Sequence, residues 1–126
     1  MKGENCVSDG IRVLNAADIK TALPPRKAVS NKGDYGRAAI AAGCMRYGGA
    51  AVLAAQAALC GGAGYTALFL PEKLRLCLTG RVPEAPTFSA CRGGEWKLDG
   101  KRLRNILRYD AIAAGMGMGN TKSAAK

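Results

Sequence analysis

The chain has 126 residues, and 19 Lys or Arg against 9 Asp or Glu give a formal net charge of +10 with no histidine. The missing histidine excludes Ser-His-Asp and Cys-His catalysis, HExxH metallopeptidases and every Cys/His zinc finger. A hydrophobic share of 48% argues against wholesale disorder, and the length allows one domain with a core of modest size.

In chain order, Met1 to Asp9 reads as a loose leader without the apolar core of a secretory signal. Asn15 followed by Asp18 has capping-box spacing and starts a short helix, Ala16 to Leu23, which Pro24-Pro25 ends. A polar loop, Asn31 to Gly36, precedes the apolar run Arg37 to Ala42, a strand expected to be buried on both faces and ending at Gly43. A turn, Cys44 to Gly49, leads into a helix of small residues, Ala50 to Cys60, capped by Gly61-Gly62. Tyr65 to Leu70 reads as a second strand, and Pro71 as the first position of a helix reaching Leu78. Thr87 to Ala90 suits a third strand, Gly93 to Gly100 a small hairpin around Trp96, and Arg102 to Leu107 a helix. Tyr109 to Ala114 is a further two-sided apolar strand, Gly115 to Gly119 a turn, and Thr121 onward a new helix. This alternation predicts an α/β fold around a mostly parallel sheet.

No charge occurs between Arg46 and Glu72, a stretch long enough to span a bilayer on length alone. Gln56 and the central Gly61-Gly62 favour a buried helix-turn-strand unit instead, so no membrane partner is expected. The five cysteines, Cys6, Cys44, Cys60, Cys77 and Cys91, show no CxxC spacing and are odd in number. They read as buried, reduced thiols of a cytoplasmic protein, with neither a metal site nor a disulfide framework.

Two glycine-rich turns are candidates for chemistry: Gly43-Cys-Met-Arg-Tyr-Gly-Gly-Ala50 and Gly115-Met-Gly-Met-Gly119. At the carboxyl ends of parallel strands, helix N-termini present unpaired N–H groups to anions, and glycine admits a ligand to the backbone. Neither turn matches a standard nucleotide fingerprint. On spacing alone, each reads equally as a tight structural turn or as a ligand cradle. A third constellation, Lys32-Gly-Asp-Tyr-Gly-Arg37, reads first as a solvated loop whose Asp34 caps local N–H groups. The basic stretch Lys97, Lys101, Arg102, Arg104 and Arg108 reads as a solvated helix face, with no nucleic-acid partner expected.

Taken together, Leu23-Pro-Pro-Arg26, Lys32-Gly-Asp-Tyr-Gly-Arg37, Tyr47-Gly-Gly-Ala-Ala51, Ala57-Ala-Leu-Cys-Gly-Gly-Ala-Gly64 and Tyr109-Asp-Ala-Ile-Ala-Ala-Gly-Met-Gly-Met-Gly119 occur in one order. In this the sequence resembles the ADP- or ATP-dependent NAD(P)H-hydrate dehydratases of the ribokinase-like superfamily. The resemblance implies a partial ribokinase-like fold, three-layered around a mostly parallel sheet. It also implies a metabolite-repair lyase acting on hydrated NADH and NADPH (NADHX and NADPHX). ADP or ATP would serve as co-substrate, with Mg2+. The hydroxyl of the hydrate would be phosphorylated and then expelled as phosphate.

The family's hydrated-dinucleotide contacts map to Ala50 and to Gly117, with Gly119 as the near alternative. The cradle reading expects Gly117→Val to remove activity with little change in thermal midpoint. Asn31 stands where the family usually has His, and Met116 replaces the Pro of the usual Gly-Pro-Gly turn. The family's catalytic Asp and nucleotide-phosphate residues lie in the second half of a longer domain. Residues 1–126 are therefore expected to be one incomplete domain, the N-terminal half, without catalytic residues of its own and inactive alone. Homo-oligomers, commonly tetramers, are expected of the full-length protein. Two other readings are a ribokinase-like kinase of a vitamin precursor and a non-enzymatic dinucleotide- or nucleic-acid-binding module.

Overall fold

The computed structural model describes residues 7–8, 11–12, 14–23, 25–93 and 96–120. Backbone contacts divide the chain into two compact units, Met1–Ser30 and Asn31–Lys126.

In the first unit, β1 (Val7–Ser8) pairs antiparallel with β2 (Ile11–Arg12). The expected loose leader thus contains a strand at its end. α1 (Ala16–Ala22) forms for the reason read in the sequence: the Asn15 side chain accepts from the Ala17 and Asp18 N–H groups, at 2.9 and 3.1 Å. Asp18 in turn accepts from the Asn15 N–H at 3.0 Å.

The second unit is a four-stranded parallel sheet in the order β5-β4-β3-β6, formed by β3 (Arg37–Ala41), β4 (Tyr65–Pro71), β5 (Thr87–Cys91) and β6 (Ala111–Ala114). Successive residues of a strand point to opposite faces. On one face Ile40, Leu68 and Leu70 bury against α2 (Gly48–Cys60) and α3 (Glu72–Leu78). On the other, Ala39, Ala41, Ala67, Phe69 and Ala90 pack with Trp96 and with Ile106 of α4 (Gly100–Ile106). This is the expected α/β, three-layer arrangement. Burying Leu68 or Leu70 completely contributes roughly 1.5–3 kcal/mol each. The all-small surface of α2 permits close packing: Ala51 and Ala55 are fully buried, and a Cβ on Gly48 would lie 2.9 Å from Leu74 Cδ1.

The amino end of the sheet explains why two sequence motifs occur together. The short 3-10 turn Lys32–Tyr35 is capped by Asn31, whose Oδ1 accepts from the Gly33 N–H at 2.8 Å while Asp34 accepts from the Asn31 N–H at 2.8 Å. This turn lies directly against Gly64, where a Cβ would sit 1.7 Å from the Lys32 carbonyl oxygen. Only glycine fits there.

Several expectations are corrected. Pro71 ends β4 and serves as N-cap, so α3 starts one residue later, at Glu72. Trp96 lies in an irregular segment rather than a hairpin; Gly94 and Glu95 fall outside the described residues. The last strand begins at Ala111, because the Tyr109 N–H is taken by the Ile106 carbonyl at 3.2 Å. β6 is exposed along its length instead of buried on both faces, since it forms the sheet edge and pairs with β3 alone. Among the described thiols Cys91 is buried and Cys44 half-buried, but Cys60 and Cys77 are exposed, and all four are free. No described helix is long and apolar enough to cross a membrane. Cys6 and the helix expected from Thr121 lie outside the described residues.

Candidate functional site

The chain runs from β3 to β4 to β5 in one direction and then returns to place β6 on the far side of β3. The carboxyl ends of β3 and β6 therefore flank a topological switch point, where open α/β sheets leave a crevice for ligands. Both glycine-rich turns emerge there, and backbone bonds join them. The Gly115 N–H donates to the Ala41 carbonyl at 3.2 Å, and the Gly43 N–H to the Met116 carbonyl at 2.7 Å.

These bonds bring Ala50 and Gly117 together. A Cβ on Gly117, whose φ is +67°, would lie 2.7 Å from Ala50 Cβ and 2.9 Å from the Tyr47 carbonyl oxygen. Glycine at 117 is thus required for the second turn to rest on the start of α2. The expectation that Gly117→Val spares the thermal midpoint does not survive this geometry. Gly119 is different: a Cβ there would meet only Cys44 Sγ, at 3.8 Å.

The crevice itself is a surface of backbone. Around Gly115 and Gly49 a Cβ would find no atom within 4 Å, so both positions border open space. Tyr47, the N-cap of the 13-residue α2, makes no side-chain cap, and no acid occupies the first turn. The Ala50 N–H donates to the Tyr47 carbonyl at 3.3 Å, and the Gly48 and Gly49 N–H groups with the positive end of the helix dipole favour an anion. Tyr47 and Met45 keep 51% and 54% of their surface exposed, enough for either to cover a ring held beside the turn.

The Lys32–Arg37 constellation is not brought to this crevice. It lies at the amino end of β3, and Asp34 serves there as a capping group. In the basic stretch Lys97, Lys101, Arg104 and Arg108 are exposed, while Arg102 is half-buried and paired with Asp99. Chiefly the Arg102 backbone N–H holds the Asp99 carboxyl below its usual range. A cavity of about 700 Å³ opens among Arg37, Phe69, Phe88, Arg102, Arg108 and Tyr109. None of these residues belongs to either turn.

One residue was missed from the sequence. The Trp96 indole N–H donates to the Gly43 carbonyl at 2.6 Å, from a ring only 3% exposed. The available signal was a lone tryptophan shortly after the third strand.

The family described as NAD(P)H-hydrate dehydratase matches residues 38–126. An ADP-dependent (S)-NAD(P)H-hydrate dehydratase of Listeria monocytogenes is 35% identical over 97 residues, 77% of this chain and 33% of that protein. A bifunctional NAD(P)H-hydrate repair enzyme of Gloeobacter violaceus is 36% identical over 90% of this chain and 22% of its own length. The chain therefore spans a third or less of these relatives. Among solved structures, a ribokinase-like protein of Enterococcus faecalis superposes with a TM-score of 0.70 at 27% identity, covering 97% of this chain and 41% of that one. The ADP/ATP-dependent NAD(P)H-hydrate dehydratase of Bacillus subtilis, co-crystallised with ATP/Mg2+, gives 0.63 at 31% identity over 86% and 38% of the two chains.

Proposed function

The chain belongs to the NAD(P)H-hydrate dehydratase family, and we propose that it carries the dinucleotide side of a nucleotide-dependent dehydration of hydrated NADH and NADPH. The observation that supports this most is the meeting of Gly117 with Ala50 and Tyr47 at the switch point. In this reading the N–H groups at the start of α2 face the dinucleotide pyrophosphate. Ala50 and Gly117 form the floor beneath it, and the space around Gly49 and Gly115 admits the ligand to the backbone.

The chemistry is that of a carbon-oxygen lyase. A phosphoryl group from ADP or ATP converts the ring hydroxyl into a phosphate leaving group. The C–O bond then breaks, a neighbouring ring proton departs, and the nicotinamide ring regains its double bond. Neither turn holds a carboxylate or a histidine for that proton, so we assign this group and the nucleotide-phosphate contacts to residues outside these 126. Among the described residues no group of three or more His, Cys, Asp or Glu gathers. Magnesium would arrive on the nucleotide phosphates, as is usual for this ion. A cytoplasmic setting and a homo-oligomeric, tetrameric full-length protein belong to the same proposal.

The test has two arms on the 126-residue chain. Equilibrium dialysis should show binding of hydrated NADH, and an absorbance assay with ADP or ATP should show no restored NADH. Absence of binding removes the dinucleotide assignment; turnover removes the assignment of the acid to residues elsewhere.

A further inference from the structure

Gly43 is held from both sides. Its N–H donates to the Met116 carbonyl at 2.7 Å, and its carbonyl accepts from Trp96 Nε1 at 2.6 Å. The first bond ties the end of β3 to the Gly115–Gly119 turn. The second ties it to a ring that belongs to neither turn and follows β5, two strands away in the sheet.

The sequence makes room for that reach. Ala39, Ala41, Ala67 and Ala90 are small residues on one face, and they leave a shelf that the indole, Phe69 and Ile106 fill. The segment carrying Trp96 is anchored where it leaves β5. Burial raises the Cys91 thiol pKa, with the Lys97 backbone N–H bonded to that sulfur acting in the opposite direction. Just upstream, the Gly93 carbonyl accepts from the Lys73 N–H of α3 at 3.2 Å. A buried ring on a pinned segment has little freedom, and what it fixes is the backbone of the candidate crevice.

We propose that Trp96 is a positioning residue for the dinucleotide cradle: its indole N–H holds the Gly43 turn, and through Gly43 the Gly115–Gly119 turn, in the arrangement a dinucleotide meets. The inference rests on the function proposed above and adds to it a residue that touches no ligand. A preorganised cradle binds more tightly because less ordering remains to be done on association.

The experiment removes the N–H donor and keeps the ring. Trp96 is the sole tryptophan, so the sulfur isostere benzothienylalanine can replace it at that position alone; Trp96→Phe is the encoded companion. Amide hydrogen exchange is read at Gly43, Gly115 and Met118, whose N–H groups are bonded within the turns, with β4 as internal reference, and hydrated NADH binding is read by dialysis. Faster exchange at the turns with β4 unchanged, together with roughly tenfold weaker binding, is the expected result. Unchanged exchange at the turns overturns the proposal whether or not the chain binds dinucleotide. Faster exchange with undiminished affinity also overturns it, since the clamp then does nothing for the ligand. If unsubstituted protein binds no dinucleotide, the proposed function fails, and so does the cradle role of Trp96. A general loss of protection that includes β4 in both variants likewise counts against it, because the bond then supports the fold at large.

Discussion

The two ends of the β3–β6 pair are built from different physics. At the amino end, side chains reinforce a backbone bond from the Asp110 N–H to the Arg37 carbonyl at 3.0 Å. Arg37 donates its backbone N–H to Asp110 at 2.8 Å and its Nη2 to the Arg108 carbonyl at 2.8 Å, and its guanidinium lies 5.8 Å from the centre of the Tyr109 ring. At the carboxyl end the strands are joined by backbone bonds through Gly43 and Gly115. Charge at one end stays in water, with the Arg37 and Asp110 side chains 54% and 58% exposed. Glycine at the other end leaves the backbone uncovered, where the proposed ligand would sit. Charged side chains fasten the pair at one end, and bare backbone joins it at the end where the dinucleotide is proposed to bind.

The largest break in that contrast should come from Gly117→Val. A valine there must adopt a left-handed φ and overlap Ala50 Cβ and the Tyr47 carbonyl. Strain of about 1–3 kcal/mol and overpacking of similar size add to a loss of about 2–6 kcal/mol. Calorimetry should show a markedly lower thermal midpoint, and dialysis should show no binding. Gly119→Ala, with only Cys44 Sγ nearby at 3.8 Å, should lose only about 1 kcal/mol. Equal losses at the two glycines would break the packing argument.

Ala50→Glu comes next. A carboxylate in the first turn of α2 favours the helix dipole by about 0.3–1 kcal/mol, so the fold should be nearly unchanged. The same charge occupies the place of the ligand's phosphates, and hydrated NADH binding should weaken by at least roughly tenfold. Ala50→Gln supplies the bulk without the charge and should weaken binding less. If the two variants bind alike, the anion-binding account of this turn is wrong.

What the sequence disclosed follows the range of the interaction. The Asn15–Asp18 capping box and the short helix it starts depend on neighbours three residues apart, and both formed as read. The strand ending at Gly43 and the glycine turns carried local signatures as well. The resemblance marks Ala50 and Gly117 each as a ligand contact, whereas their close packing needed coordinates. The Trp96–Gly43 bond links residues 53 apart and leaves no periodicity or motif behind. β6 was misread as buried for a related reason. An apolar run such as Ala111–Ala114 looks the same at the edge of a sheet as at its centre, and only strand order tells them apart.

The smallest expected effect belongs to the amino end and concerns acid. Chiefly the Arg37 backbone N–H holds the Asp110 carboxyl below the usual carboxylate range, aided by the Arg37 side chain. A carboxylate whose folded pKa is depressed contributes stability that is fully present above its unfolded pKa and is lost as pH falls through the folded value. The window therefore lies from the ordinary aspartate value downward, and neutral pH is outside it. Because the group is exposed, solvent screens the pair and the contribution is small. Asp110→Asn should slightly lower the thermal midpoint at neutral pH and flatten its fall with acid, leaving dinucleotide binding at the far end of the strands unchanged. Asp99 and Glu72 also have lowered pKa values, mainly through the Arg102 backbone N–H and the Arg75 side chain, so part of the acid limb should remain in the variant. Midpoints measured across the acid range for both proteins decide the matter. If the two curves stay parallel, Asp110 carries no linked proton. If binding falls with the charge at Asp110, the two ends of the β3–β6 pair are not independent.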